Sequence, residues 1–388
     1  MTSSDLFKMF LTILVTCSIF VTCLTSPRKV RDLDGIEKEY KYILQWTNKS
    51  NAPLKFMGEG NSAFIKNKCQ HTNCFVTDDA SLIDLTDFDA IVFDGRKVIH
   101  MEPYERPARR SPKQKYIIAA TESPHRFPAC NEILDNFFNW TWTYKLTSDL
   151  RYGYVTIYDS DGNEVGPALD MKWPEMGPIS EDLKARLSGK SKAAAWFVSN
   201  CKTPSKREEF VAELKTELNV LGWDVDVYGL CGEFTCLRKN YRECNKKIKQ
   251  DYYFYLAFEN SFSEDYVTEK VLAALNNYAV PVVYGTANYS RFLPPGSYLD
   301  AKELGPTNLA RVMNELITDK NRYYDFFRWW NHFSFKQTLT TTDVCKLCAA
   351  LNDHQKVTTV STWKSYRTWW NVVDCSLIWW QWDHLEIT

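Results

Sequence analysis

The sequence has almost no excess of charge of either sign: 47 Lys and Arg stand against 48 Asp and Glu, a formal net charge of −1. A chain so balanced has no basic field with which to hold a polyanion, which excludes nucleic acid as a bulk electrostatic partner. It also lacks a second CxxC pair beside Cys345 and Cys348, so a zinc site built from two such pairs is excluded. A convincing DxD is missing as well. Asp159-Ser160-Asp161 runs into Gly162-Asn163 and reads as a turn, while Asp224-Val225-Asp226 opens a strand. Neither is expected to hold a divalent metal.

What is present describes an ordinary globular chain, 45% hydrophobic and 24% charged. At 388 residues it suits two domains better than one. Its 14 Trp, 21 Tyr and 22 Phe supply aromatic faces for large cores and for stacking on sugars. Residues 9–26 are apolar and uncharged, flanked by Lys8 and by Arg28, Lys29 and Arg31. That stretch just meets the length of a membrane helix. It also reads as a cleaved signal peptide, with a small-residue site near Thr25 and Ser26. More basic residues follow it than precede it, so the positive-inside rule disfavours a lumenal body behind an anchor. Both readings send the rest of the chain into the secretory pathway.

Cysteine use agrees. Cys17 and Cys23 lie in the apolar stretch. The other ten are Cys69, Cys74, Cys130, Cys201, Cys231, Cys236, Cys244, Cys345, Cys348 and Cys375, an even number that suggests disulfides in a secretory chain. N-glycosylation sequons stand at Asn48, Asn139 and Asn288.

The first half reads as short strands alternating with loops and helices, which is an α/β pattern. Strands are expected at 40–46, 74–77, 90–93, 116–120 and 140–144, and a short helix at 131–138. Residues 162–189 are rich in Gly, Pro, Ser and charge and read as a linker. In the second half, strands are expected at 193–199 and 225–228, with a helix at 206–219 between them. Helices at 307–317 and 322–330 close the fold. The tail from 363 to 382 holds six Trp, read as a helix packing aromatics onto the body, with a sugar-stacking or protein-contact surface as the alternative.

The most informative stretch is 252–285. Residues 252–258 read as a buried strand, and Glu259 to Asp265 as a polar loop. Val267, Val271, Leu272 and Leu275 recur at helical spacing, and 279–284 reads as a second buried strand. Strand, loop, helix, strand is a βαβ unit of a parallel sheet, and its ligands bind outside the carboxyl ends of the strands. Asn260, Tyr266, Glu269 and Lys270 are thereby expected at a mouth, beside helix N–H groups that attract anions.

The run ENSxxxDYVTEK, here Glu259 to Lys270, resembles the signature of the α1,3-fucosyltransferases, inverting GDP-fucose enzymes of the Golgi. Glu122-Ser123-Pro124, set just after the strand 116–120, matches their acceptor-side motif, and FNWT at 138–141 and VSNC at 198–201 also match. The resemblance runs from about 116 to 348 and implies a GT-B architecture: two Rossmann-like α/β domains facing across a cleft. It places an acceptor domain at 40–185 and a GDP-fucose domain at 190–350. A cytoplasmic tail and signal-anchor occupy 1–26, a stem 27–39, and the Trp-rich tail 351–388. The implied protein is a single-pass type II membrane protein of the Golgi with a lumenal catalytic part.

In that reading Glu122 is the base that takes the acceptor hydroxyl proton. Arg207 and Lys270 hold the diphosphate in place of a metal, Arg207 by its two-pronged fork. Tyr255, Asn260, Tyr266 and Glu269 place nucleotide and sugar. The resemblance also implies a C-terminal CxxC, Cys345 and Cys348, tied back to Cys69 and Cys74. The Cys201, Cys231, Cys236 and Cys244 pattern is similar to invertebrate and plant-type members acting on N-glycans. GlcNAc is therefore the expected acceptor, in the core or an antenna, and no cofactor is expected. The rival readings are a catalytically silent lumenal glycan-binding protein on the same scaffold and a fucosyltransferase of different linkage.

Overall fold

The computed structural model describes residues 29–31, 37–47, 50–236, 241–338, 340–371 and 375. The proposed cytoplasmic tail and anchor at 1–26, and the sequon at Asn48, lie outside the described residues. Among the described residues no helix is long and apolar enough to cross a membrane.

The first unit is a parallel sheet of six strands. These are β1 (Lys41–Gln45), β2 (Cys74–Thr77), β3 (Ala90–Asp94), β4 (Lys115–Ala120), β5 (Trp140–Thr143) and β6 (Leu150–Arg151). Their order is β2-β1-β3-β4-β5-β6 and every pairing is parallel. All six residues of β4 are buried, as expected of a strand covered on both faces. The helix expected at 131–138 is only a 3₁₀ turn at Glu132–Leu134. Asn136 has positive φ just beyond it, which ends any helix.

Next come β7 (Val155–Asp159), just before the stretch read as a linker, and β8 (Glu164–Gly166), inside it. The second unit then contributes β9 (Lys192–Phe197), β10 (Val225–Tyr228), β11 (Tyr252–Phe258), β12 (Val280–Tyr284) and β13 (Leu299–Asp300), again all parallel. Their order is β10-β9-β11-β12-β13. Finally β14 (Phe333–Gln337) pairs antiparallel with β7, which itself pairs with β8.

Written in order of appearance within each unit, the second sheet runs 2-1-3-4-5 and the first 2-1-3-4-5-6. This is a doubly wound order whose switch point lies between the first and third strands, where ligands bind at the strand carboxyl ends. Two such units meeting at those ends form the GT-B arrangement.

Six helices position the site: α1 (Gly95–Val98), α2 (Arg207–Val220), α3 (Lys270–Leu275), α4 (Ala301–Thr318), α5 (Thr340–Asn352) and α6 (Tyr366–Trp370). Helices α2 and α4 bury Leu214, Leu218, Leu309 and Met313 against one face of the second sheet, and α3 covers the other with Val271 and Leu275. The first sheet is closed differently. Helix α5 lies in the range assigned to the second domain, yet it buries Val344, Leu347 and Leu351 on the first sheet beside Ile117 and Trp142. Disulfides Cys69–Cys345 and Cys74–Cys348 hold it there. Tyr366 and Trp370 of α6 close the opposite face, with Phe93, Phe138 and Tyr144.

Candidate active site

In the second unit, β9 and β11 flank the switch point. Leaving β9, the chain turns through residues 200–205, and Lys206 adopts a left-handed conformation (φ 53°) that starts α2 at Arg207. The Arg207 side chain folds back over the strand ends. It donates to Phe258 O at 2.6 Å and lies 3.4 Å from Asn200 O, while its buried Nε has no partner among the described residues. Burial pulls its guanidinium below the usual arginine value, with Glu259 opposing.

Beyond β11, Glu259 is 1% exposed. Its carboxylate accepts from Thr268 N at 2.8 Å, from Thr268 Oγ1 at 2.9 Å and from Lys270 Nζ at 2.9 Å. Lys270 Nζ also donates to Thr268 Oγ1 at 2.7 Å. An ammonium has three donors, so one remains to face a ligand oxygen. Burial works against the Lys270 charge, but Glu259 and Glu269 outweigh it and hold the group above the usual lysine value. Arg207 and Lys270 are close enough for their charges to oppose each other, and a binding anion relieves that repulsion. The helix begins at Lys270 rather than near Val267: Asp265 has positive φ, and the Glu259 carboxylate binds Thr268 in the loop ahead of it.

In the first unit, Glu122 lies two residues beyond the end of β4. Arg96 Nη2 stands 3.5 Å from Glu122 Oε1. Arg96 opens α1, where Asp94 caps its N–H at 2.9 Å, and its Nη1 is 3.2 Å from Asn51 Oδ1. Asn51 Nδ2 in turn donates to Asp94 at 2.6 Å.

The two sets meet through the loop 262–266. The Tyr266 hydroxyl is 3.5 Å from Glu122 Oε2, and Phe262 N is 3.5 Å from His125 Nδ1. Tyr144 and Ser263 share a hydroxyl bond of 2.9 Å, and Leu146 N donates to Asp265 Oδ2 at 3.0 Å. Tyr266 is 4% exposed and its ring packs against Tyr144 and Tyr154. Burial first, then the charges of Glu122, Glu269 and Glu259, push the Tyr154 hydroxyl well above the usual tyrosine value. Tyr154 also joins the two sets by contact: its hydroxyl donates to the Thr121 carbonyl beside Glu122, and its ring stands edge-on to Tyr266.

The model described as Glycosyltransferase family 10 (fucosyltransferase) C-term matches residues 187–369, and the one described as Fucosyltransferase, N-terminal matches 38–155. A 4-galactosyl-N-acetylglucosaminide 3-alpha-L-fucosyltransferase from Pan troglodytes is 31% identical over 337 residues, covering 82% of this chain and 81% of that protein. The chain belongs to glycosyltransferase family 10, the fucosyltransferases. Alpha-(1,3)-fucosyltransferase C of Drosophila melanogaster is 36% identical over 289 residues, which are 73% of this chain and 65% of the fly protein. Glycoprotein 3-alpha-L-fucosyltransferase A of the same fly is 29% identical over 319 residues, 80% of this chain and 57% of that one. The chain therefore spans less than two thirds of the length of either fly relative. A crystal structure of an α1,3-fucosyltransferase superposes with a TM-score of 0.49 at 16% identity, covering 82% of this chain and 91% of that one.

In this fucosyltransferase-family chain, the remaining expected site residues fall in different places. Asn260 is half-buried, and its backbone carbonyl accepts from Ser205 N at 3.2 Å, so it sits at the switch point. Glu269 is exposed and immediately precedes α3, without a capping hydrogen bond from its side chain. Tyr255 lies inside the sheet, 3% exposed, edge-on to Phe197. The Asn139 amide is bound between Ser361, Tyr116 and Arg110, a position that a glycan would disrupt. Asn288 is exposed. Asp159 closes a turn with Asp161 and Asn163, and Asp226 is tied to Lys192 and Tyr252. Among the described residues no group of three His, Cys, Asp or Glu side chains is placed to hold a metal ion. The other disulfides are Cys130–Cys375, Cys201–Cys231 and Cys236–Cys244.

The sequence reading assigned no role to Glu259 or Arg96. Glu259 was visible as the first letter of the motif directly after a buried strand. Arg96 follows an Asp-Gly at the end of a strand, but nothing local ties it to position 122.

Proposed function

We propose that this chain transfers L-fucose from GDP-fucose to the 3-hydroxyl of a GlcNAc residue in N-glycans, with inversion, in the Golgi lumen. One observation carries the reading. Glu122 of the first unit lies within reach of Tyr266, four positions before Lys270 of the second, at the carboxyl ends of both sheets. The printed activities of the relatives, α1,3-fucosyl transfer, support it. The Glu122 carboxylate takes the proton from the acceptor hydroxyl. The oxygen attacks the anomeric carbon of fucose from the face opposite GDP, and the bond to the diphosphate breaks through an oxocarbenium-like state. The electron pair leaves with the diphosphate, where Lys270 and Arg207 take up the charge. Cationic side chains thus do the work that a bound divalent ion does in other transferases.

The test is to incubate the full chain with GDP-fucose and a panel of glycans, with and without EDTA, and to analyse the linkage formed. The reading expects fucose on the 3-hydroxyl of GlcNAc at the same rate in both. Glycan binding without turnover points to the silent glycan-binding rival, and another linkage to the second rival. Loss of activity in EDTA overturns the metal-free mechanism.

A further inference from the structure

The first unit's catalytic loop is held in place from outside. Residues 121–130 carry Glu122, and their second half is fastened by the chain terminus. Trp370 Nε1 donates to Phe127 O at 3.0 Å. The single amide of Asn371 satisfies both backbone groups of Ala129, accepting from its N–H at 2.8 Å and donating to its carbonyl at 2.8 Å. Arg367 reaches Cys130 O at 3.3 Å, and Cys130 is bonded to Cys375. The hold extends to Glu122 itself, because the Phe127 ring lies 5.6 Å from the Arg96 guanidinium that faces the carboxylate.

The same terminus grips the joint between the units. Lys145, 2% exposed, donates to Trp369 O at 2.6 Å, at the carbonyl end of α6. Its neighbours make the contacts that cross to the donor side: Tyr144 with Ser263 and Tyr266, and Leu146 with Asp265. Before α6, Ser361 and Trp363 bond to Asn139 and Phe138. The family match ends at 369, just before Trp370, Asn371 and Cys375.

We propose that residues 359–371 with Cys375 form a strap that sets the distance between the proton acceptor and the donor site. In it Trp370 and Asn371 are positioning residues, and the reading rests on the transfer reaction proposed for Glu122. Every residue the strap itself holds belongs to the first unit, so loosening it shifts Glu122 and leaves the bonds of Arg207 to Phe258 and of Lys270 to Glu259 in place. It lowers turnover and spares the donor.

The experiment compares the full chain with Asn371→Ala, with Trp370→Phe, which keeps the ring but removes the N–H, and with Lys364→Ala on the exposed side as a control. Each is measured for transfer kinetics, GDP affinity and amide exchange. Because a misplacement of about 1 Å can cost about 10²-fold, the first two variants are expected to lose roughly tenfold in kcat. KM for GDP-fucose and affinity for GDP stay at wild-type values, and exchange quickens at 121–130 but not at 252–258. Asn371→Asp, which keeps the acceptor for Ala129 N–H but turns a carboxylate oxygen onto the Ala129 carbonyl, loses at least as much as Asn371→Ala. Wild-type kcat and exchange in both variants overturn the strap. So does a parallel fall of kcat, donor affinity and melting temperature, which marks the tail as merely structural. A wild-type chain that transfers no fucose sinks the transferase reading, while the exchange measurement still decides whether the strap holds the loop.

Discussion

The two parallel sheets share the order of their first five strands but carry opposite chemistry at their carboxyl ends. At the switch point of the second sheet, Arg207 and Lys270 are gathered around the buried Glu259. In the first sheet the loop after β4, one strand beyond the switch point, presents a carboxylate, Glu122, steadied by Arg96 from the end of β3. Winding order decides where a ligand can sit, and the loops decide what sits there. A cationic mouth suits the departing diphosphate, and a carboxylate opposite suits a hydroxyl that must lose its proton.

The sharpest way to break this contrast is Glu122→Gln. It keeps the shape and removes the base, so transfer should fall by roughly 10²–10⁴-fold. GDP binding should be unchanged by calorimetry, because the donor side is untouched. Lys270→Met attacks the other edge. Loss of one charge-stabilising donor should cost about 10²–10³-fold in kcat, here with weaker GDP affinity as well. If Glu122→Gln weakened GDP as much as Lys270→Met does, the division of labour between the sheets would be wrong.

A third comparison sets two buried carboxylates side by side. Glu259 is satisfied by Thr268 and Lys270, whereas Asp343 of α5 is fully buried with Lys346 Nζ 3.2 Å away on a half-exposed arm. Burial pushes Asp343 up from 3.8 to about 6, with Lys346 opposing. Below the lower value both states are protonated and the group contributes nothing. Between the two values the folded chain keeps a proton that the unfolded chain has released, so stability falls as pH rises. Above the higher value the cost is complete, about 3 kcal/mol. Asp343→Asn should recover part of this at neutral pH and flatten the melting temperature between pH 4 and 7. An unaltered pH profile would refute it. The mildest change is Tyr266→Phe, which removes one hydroxyl at 3.5 Å from Glu122 and leaves the ring packed. Losing a single hydrogen bond worth about 1 kcal/mol should slow transfer roughly fivefold, read as kcat at saturating donor.

Much of this architecture was legible in the residues. The strands at 225–228 and 74–77 fall where expected, because short apolar runs bounded by polar residues leave little room for error. The polar loop before Lys270 was legible for the same reason. What escaped depends on distance along the chain. Strand β7 pairs with β14, roughly 180 residues later, so 155–166 reads locally as the approach to a linker. Helix α5 has a pattern that says it is buried but not upon which sheet. Tyr255 packs edge-on to Phe197 within electrostatic reach of Arg207, and a tyrosine in a strand covered on both faces gives no local sign of which way it points. Arg96 needed the fold to meet Glu122.

The crossing of α5 back to the first sheet makes the donor unit an insertion within its neighbour, entered and left through the paired strands β7 and β14. During synthesis, therefore, the earlier half cannot finish first. Its two faces stay incompletely covered until residues 340–371 leave the ribosome, and the cysteines at 69 and 74 wait 276 and 274 positions for their partners. Whatever assists this protein's maturation must shield a half-built sheet while a complete domain folds beside it.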